Sequence, residues 1–389
     1  MNNLHESPVL KQFQNLETPF FYYDLNVLEN TLQLIKKCVS DQPFKVHYAI
    51  KANANNRVLD LIKSHGLGID CVSGNEIKKA IERGFSPNEI AFAGVGKTDA
   101  EIRYGIEQAI FTFNVESLPE LQVIDEIAGT MQKSANVAIR LNPNVNAKTH
   151  RYITTGLEEN KFGINYWELD ELFDLLPKLK NIRLRGIHFH IGSQITDLSV
   201  FKNLCNRVNE LQAAFRERGF DLEHINVGGG LGVNYLEPDE ELIPDFKSFF
   251  NIFKEFVQLA PGQELHFELG RSIIAQSASL ISRVLFVKKG INTNFTILDA
   301  GMTELIRPAL YQSYHKIENL TKKHLDANTK YDVVGPICES SDCFGKSILL
   351  PETERGDLIA IRTVGAYGEV MSSSYNLRDK AKTYYHDEL

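Results

Sequence analysis

The chain lacks several features, and each absence closes a class of function. It has no excess of positive charge: 42 Lys and Arg stand against 50 Asp and Glu, a formal net charge of −8. A phosphate backbone is bound by a basic surface, so no nucleic acid partner is expected, although a local basic pocket for a small anion remains possible. No apolar run approaches the roughly 20 residues of a membrane-spanning helix, so no membrane partner is expected either. The opening MNNLHESPVLKQF has no cationic stretch followed by an apolar core, which predicts no secretory signal. Cysteine is sparse: Cys38, Cys71, Cys205, Cys338 and Cys343 are odd in number, scattered, and form no C-x-x-C pair. That usage suits a reducing cytoplasm, the expected location, where a cysteine is a small core residue or a reactive thiol. Internal repeats and low-complexity linkers are missing as well.

What is present is a rhythm. At 389 residues the chain exceeds one ordinary core, and its hydrophobic content of 43% is that of a folded protein. Eight short apolar segments recur: VHYAI (46–50), GIDCVS (68–73), IAFAG (90–94), IFTFNV (110–115), VAIRLN (137–142), LRGIHFHIG (184–192), HINVGGG (224–230) and ELHFELG (264–270). Amphipathic runs lie between them, such as NEIKKAIERG, where Ile77 and Ile81 share one helix face. Alternating strands and helices imply right-handed βαβ units and a parallel sheet. Eight units are the count of a closed (β/α)8 TIM-like barrel of roughly 250 residues, with an open doubly wound sheet as the alternative. The barrel is expected over residues 25–272. Beyond it, SIIAQSASLISRVLFVKKG, NFTILDAG, YDVVGPI and GDLIAIRTVGAYG read as strands with little helix between them. They predict a mostly antiparallel β domain over 273–389, which the early strand PFFYYD (19–24) can join.

In such a barrel the active site lies at the C-terminal ends of the strands. The chemically capable residues collect there: Lys51, Asp70, Ser73, Arg140, Asn142, His188, His190, Ser193, Gly228 to Gly230, Glu268, Gly270 and Arg271. GGGLG is a weak Rossmann fingerprint, since its spacing is wrong and no suitable acid follows. After the seventh strand, beside GRS after the eighth, it suits a phosphate cradle built from backbone N–H groups. HFH places His188 and His190 on one strand face, as a zinc pair would be, but no further ligands complete a metal set, so no metal is expected. An imidazole lying flat on a cofactor ring is the better reading, with a satisfied core histidine as the bland alternative for His188. A lysine, a phosphate cradle and a carboxylate at one mouth suggest pyridoxal 5′-phosphate (PLP). With a reference pKa of about 10.4, roughly one lysine in a few thousand is unprotonated at neutral pH, so a lysine nucleophile needs help from its site. An aldehyde held by its phosphate gives Lys51 a partner, and Glu268 can face the pyridine nitrogen and keep it protonated.

The motifs YAIKAN, NPNVNAKTHRYITTGLEENKFGI, HFHIGSQ, GGGLG, ELGRS, RPALYQSYH, GPICESSD and GAYGEVMSSSYN together resemble the fold-type III PLP-dependent decarboxylases, which share a barrel with alanine racemase. Within them the chain resembles the diaminopimelate decarboxylase branch along nearly its whole length. One departure is Leu269, where that family usually has proline, a change that concerns turn rigidity rather than chemistry. The resemblance implies that Lys51 is the Schiff-base lysine, His190 the ring-stacking imidazole and Glu268 the pyridine partner. It assigns the phosphate to Ser193, Gly228, Gly229, Gly230, Gly270, Arg271 and Tyr367, and the substrate to Arg271, Arg307, Tyr311, Glu339 and Tyr367. It makes Cys338 the proton donor, supplied with Glu339 across a homodimer interface, so that active sites are shared.

The implied reaction is decarboxylation of meso-2,6-diaminopimelate to L-lysine and CO2, the last step of lysine biosynthesis. Its substrate carries a distal carboxylate and ammonium, which call for arginine forks and an anion. An enzyme for ornithine or lysine has no distal carboxylate to satisfy, and two arginines would repel its distal ammonium. The competing readings are a same-fold decarboxylase for ornithine, arginine or carboxynorspermidine, a racemase, a metal-dependent barrel hydrolase using His188 and His190, and a non-catalytic homologue acting as a binding module. The last would have lost the lysine or the cysteine, and both are present.

Overall fold

The computed structural model describes residue 4 and residues 7–145 and 161–389. Most of the motif NPNVNAKTHRYITTGLEENKFGI, from 146 to 160, lies outside the described residues. The chain divides into two compact units, one of residues 32–232 and 245–270, the other of 1–31, 233–244 and 271–389.

Strand β1 (Phe20–Tyr23) belongs to the second of these. The first is a closed parallel barrel of β2 (Phe44–Ala49), β3 (Gly68–Cys71), β4 (Ile90–Phe92), β5 (Thr112–Val115), β6 (Ala135–Arg140), β7 (Ile182–His188), β8 (His224–Asn226) and β9 (Glu264–Leu269). It closes where Phe44 of β2 lies opposite Leu265 of β9. All eight expected strands are present, but all except β5 stop earlier than their apolar pattern does. Lys51 sits in a 3-10 turn, Ile50–Ala52, and His190 lies beyond the end of β7. The pattern overruns because the turns are themselves buried: Ile50, Phe189 and Ile191 are fully inaccessible.

Local chemistry starts and seats the helices. Ser73 accepts the Glu76 N–H at 3.2 Å and caps the helix Gly74–Glu82, which buries Ile77 and Ala80. Such a cap is worth about 1 kcal/mol, so this strand-end serine is spent on structure. The helix Phe246–Phe256 turns Phe249, Phe250 and Phe253 inward, and Phe250 and Phe253 meet Phe267 edge-on at 4.9 and 5.1 Å. Deleting a ring such as Phe267 would cost about 3–5 kcal/mol.

Inside the barrel, side chains of alternate strands share a level. Asp70 of β3, Asn114 of β5, His188 of β7 and Glu268 of β9 converge below the mouth and are all buried. Nearer the floor, Gly68 and Gly186 leave room for two imidazoles. A Cβ on Gly68 would lie 2.5 Å from His47 Nδ1, and one on Gly186 2.6 Å from His224 Nε2.

The other unit is an eight-stranded sheet. Its remaining strands are β10 (Ala278–Lys289), β11 (Asn294–Leu298), β12 (Ile317–Asn319), β13 (Thr329–Val334), β14 (Cys343–Leu350), β15 (Leu358–Ile361) and β16 (Lys382–Tyr385). The order β12-β15-β10-β11-β13-β14 is mostly antiparallel, with β11–β13 parallel. β1 pairs antiparallel with β10 and parallel with β16, so PFFYYD does join this sheet. The stretch expected as strand from 272 begins instead as a short helix, Arg271–Ile274, and a 3-10 turn before β10 starts. Three strands had no clear signal: β12 has three residues, β16 is charged at its start, and β14 pairs with β13 through register shifts.

Candidate active site

At the barrel mouth Lys51 is aimed by Asp70, whose Oδ2 accepts from Nζ at 3.1 Å. Burial and the nearby Glu268 charge push the Asp70 carboxyl above its ordinary value, against the pull of Lys51. Glu268 is the opposite case. Its Oε1 accepts from Asn114 Nδ2 and Asn226 Nδ2, both at 2.8 Å, and its Oε2 lies 2.9 Å from His188 Nε2. Burial alone would raise it, but the charge and hydrogen bond of His188, with the Lys51 charge, hold it well below the carboxylate range. A buried anion results. Behind it, Glu116 receives the Arg140 guanidinium at 2.8 and 3.0 Å, so the strand-end Arg140 is already paired.

His190 accepts the Gly229 N–H on Nδ1 at 3.4 Å, which leaves its proton on Nε2. Burial first, then the charges of Arg140 and Lys51, keep this ring neutral. The loop after β8 packs backbone on backbone: a Cβ on Gly228 would lie 2.3 Å from the Phe189 carbonyl oxygen, and one on Gly229 2.0 Å from that of Glu268. Gly228 spends its N–H on Asn226 Oδ1 at 2.9 Å. Gly270 brings the end of β9 tight over the lysine turn, with Ala49 and Ala52 within 3.2 Å of where its Cβ would stand. Leu269 is buried and paired with Tyr48 as the last residue of β9.

A second cluster lies in the β-sheet unit. Arg271 and Arg307 both donate Nη1 to the Tyr235 hydroxyl, at 2.7 and 2.8 Å. Arg271 also lies over the Tyr367 ring at 4.8 Å, and Tyr367 has a left-handed φ of 58°. Tyr311 ends the short helix Arg307–Tyr311. Arg307 is buried, and its other partners are His315 Nε2 at 3.1 Å and Ser313 Oγ at 3.4 Å. Among the described residues no carboxylate pairs with it. Cys338 and Glu339 stand on the exposed loop between β13 and β14. The Cys338 N–H donates to Asn376 Oδ1 at 3.3 Å, and Glu339 accepts from the Tyr375 hydroxyl at 2.7 Å.

The sequence matches, over residues 25–275, the family described as pyridoxal-dependent decarboxylase, pyridoxal binding domain. The chain belongs to the pyridoxal-dependent decarboxylases. Diaminopimelate decarboxylase of Bacteroides thetaiotaomicron is 56% identical over 98% of this chain and 98% of its own. That of Vibrio cholerae serotype O1 is 41% identical over 93% of this chain and 86% of its own. Among solved structures, diaminopimelate decarboxylase from Helicobacter pylori complexed with L-lysine superposes with a TM-score of 0.91 at 39% identity, covering 98% and 94% of the two chains. A lysine/ornithine decarboxylase from Vibrio vulnificus, at 21% identity and a TM-score of 0.83, shares the fold.

The residues of this pyridoxal-dependent decarboxylase fit the cofactor. A carboxylate offers about four lone-pair sites, and three donors on Glu268 leave one on Oε2 for a protonated pyridine nitrogen. Neutral His190 offers a flat face, and Lys51 supplies the amine. Among the described residues no cluster of three His, Cys, Asp or Glu is placed to hold a metal ion, and no helix is long and apolar enough to cross a membrane. Asn114, Asn226 and Tyr235 escaped the sequence reading. The two asparagines carried a signal nonetheless, as polar residues near the C-terminal ends of fully buried strands.

Proposed function

We propose that this enzyme decarboxylates meso-2,6-diaminopimelate to L-lysine and CO2 with PLP as cofactor, the last step of lysine biosynthesis. The observation that carries the substrate assignment is the pairing of Arg271 and Arg307 on a phenol, with Arg307 buried among neutral partners. A buried guanidinium with no carboxylate of its own is a site for an incoming one, because an unpaired buried charge is costly and a bound anion offsets that cost. Ornithine and lysine bring no distal carboxylate. The 56% identity to the diaminopimelate decarboxylase of Bacteroides thetaiotaomicron supports the reading.

Bound PLP would supply an aldehyde for the substrate's amine and a ring that accepts the electron pair left on the substrate carbon when CO2 departs. The chain does the rest. Lys51, aimed by Asp70, would hold the cofactor through its side-chain amine. Glu268 keeps a proton on the pyridine nitrogen. His190 covers the ring face without adding charge. Ser193, Gly230, Gly270, Arg271 and Tyr367 hold the phosphate, with Gly228 and Gly229, whose N–H groups go to Asn226 and His190, keeping the loop narrow beside it. Arg307, Tyr311, Glu339, Arg271 and Tyr367 hold the substrate. Cys338 returns a proton to the carbon that lost CO2.

The enzyme is proposed to act in the cytoplasm as a homodimer in which Cys338 and Glu339 complete the site of the other copy. Their loop supports this: both are at the surface beside Tyr375, 48% exposed, and Leu377, 97% exposed, an apolar patch suited to a second copy. The direct test is incubation of the PLP-loaded protein with meso-diaminopimelate and detection of lysine and CO2. Faster release of CO2 from ornithine, arginine or lysine would overturn the substrate assignment.

A further inference from the structure

The geometry points to Tyr235 as the residue that holds Arg271 and Arg307 together as one anion-binding fork, with His315 bracing Arg307 from behind. This inference rests on the proposed binding of the distal carboxylate by these arginines. Tyr235 lies five residues after Gly230, in GGGLGVNY, and belongs with the β-sheet unit through the segment 233–244. Two guanidiniums repel each other, yet both direct an Nη1 donor at its one hydroxyl oxygen, at 2.7 and 2.8 Å. The Arg307 guanidinium also lies over the Tyr235 ring at 5.1 Å, and that ring meets His315 edge-on at 5.1 Å.

His315 is fixed as an acceptor. Its Nδ1–H donates to the Arg362 carbonyl at 2.8 Å, so Nε2 presents a lone pair to Arg307 Nη1 at 3.1 Å. Burial, then the Arg307 charge, push this imidazole down to about 3, so it stays neutral. Tyr235, His315 and Ser313 therefore satisfy the directional needs of Arg307 without cancelling its charge. A carboxylate in the place of the phenol would order the arginines equally well but would consume the positive potential that the substrate needs. The phenol orients both arginines while carrying less charge than a carboxylate would; burial works against its ionisation, and the Arg271 and Arg307 charges pull it below the ordinary tyrosine value. Tyr235 is thus a positioning residue that acts through the arginines and sets selectivity for a substrate with a distal carboxylate.

The test uses the PLP-loaded enzyme with Tyr235→Phe, which removes one oxygen and keeps the ring. KM for meso-diaminopimelate should rise about tenfold or more while kcat stays within about threefold, because a hydrogen bond to a charged group is lost in substrate binding. The absorption of bound PLP should be unchanged. His315→Phe, which removes the acceptor behind Arg307, should move KM in the same direction. In an Arg307→Ala background Tyr235→Phe should add less than it does alone, since only its route through Arg271 remains. If Arg307→Ala raises KM steeply while Tyr235→Phe leaves it unchanged, the positioning role is overturned and the carboxylate reading stands. If Arg307→Ala itself leaves KM unchanged, the carboxylate reading falls and takes this proposal with it.

Discussion

At the mouth of the barrel, Glu268 is a buried carboxylate with Asn114, Asn226 and His188 around it; at the floor, His47, His224 and His266 are buried imidazoles packed on one another and on Phe111. Both are polar islands in an apolar shell, and they are stabilised in opposite ways. The mouth keeps a charge and surrounds it with donors. The floor keeps its rings neutral: His266 lies flat on Phe111 at 5.1 Å with 2° between planes, and His47 Nε2 lies 2.8 Å from His266 Nδ1. His47 Nδ1 faces the Glu89 carbonyl at 3.2 Å, and His266 Nε2 lies 3.3 Å from Glu264 Oε2. Burial is the first cause holding all three below the ordinary histidine value, His47 at about 3. One end of the barrel is built to hold an ion and the other to exclude one, which is why the chemistry belongs at the mouth.

The largest expected effect breaks the mouth. Lys51→Ala should abolish turnover and the visible absorption of bound PLP while the melting temperature of the apoprotein stays near that of the parent. A retained chromophore, reducible by borohydride onto another lysine, would move the assignment elsewhere. Next comes Glu268→Gln, which keeps the shape and removes the charge. It should lower kcat by about a hundredfold, the scale for losing one preorganised electrostatic partner. A kcat within a few fold of the parent would show that the buried anion serves the fold alone.

The mouth was partly legible in the sequence and the floor was not. Period-two alternation and turn residues located all eight barrel strands, and their ends led to Lys51, Asp70 and Glu268 without knowledge of contacts. The partners of Glu268 were harder, because Asn114 reaches it across the barrel interior from β5 and Asn226 from the neighbouring strand β8, contacts that only the closed barrel makes. Tyr235 and His315 sit in loops whose spacing carries no periodic signal, and only the fold brings them to Arg307. At the floor, His47, His224 and His266 come from β2, β8 and β9, and the space for the first two is made by Gly68 and Gly186 on two other strands. No local pattern encodes that packing; barrel register does.

Acid should separate the two ends. A histidine whose folded pKa lies below its unfolded value of about 6.5 gives stability that is fully present above 6.5 and lost as pH falls toward the folded value. For His47 the window runs from about 6.5 down to about 3, at about 1.4 kcal/mol per pH unit. His224 and His266 have the same sign. Asp70, pushed up to about 7, works the other way and gains stability as pH falls. Glu268 joins the loss only below about 4.3, its unfolded range. Between pH 6.5 and 4.5 the floor should therefore dominate, and unfolding free energies from urea titrations should fall on acidification. His47→Gln should flatten that slope by about one proton. An unchanged slope in this variant would mean that His47 is already charged in the folded protein.

The smallest effect sharpens the comparison most. His224 is buried, and neither ring nitrogen has a hydrogen-bond partner among the described residues, while Phe111 lies 4.9 Å from its ring centre. If the floor is stabilised by packing rather than by polar contacts, an apolar side chain should serve there nearly as well, since removing an unpaired buried polar group forfeits no hydrogen bond. His224→Leu is expected to change stability at pH 7 by no more than about 1 kcal/mol. The same variant should resist acid better than the parent, because one group that binds a proton only on unfolding has gone. Equivalent treatment of the mouth, His188→Leu, should cost much more, about 3–5 kcal/mol, by stripping a partner from the buried Glu268 charge. Urea midpoints of the two variants at pH 7 make the comparison directly. A His224→Leu loss as large as that of His188→Leu would mean that the floor, too, depends on a specific polar contact.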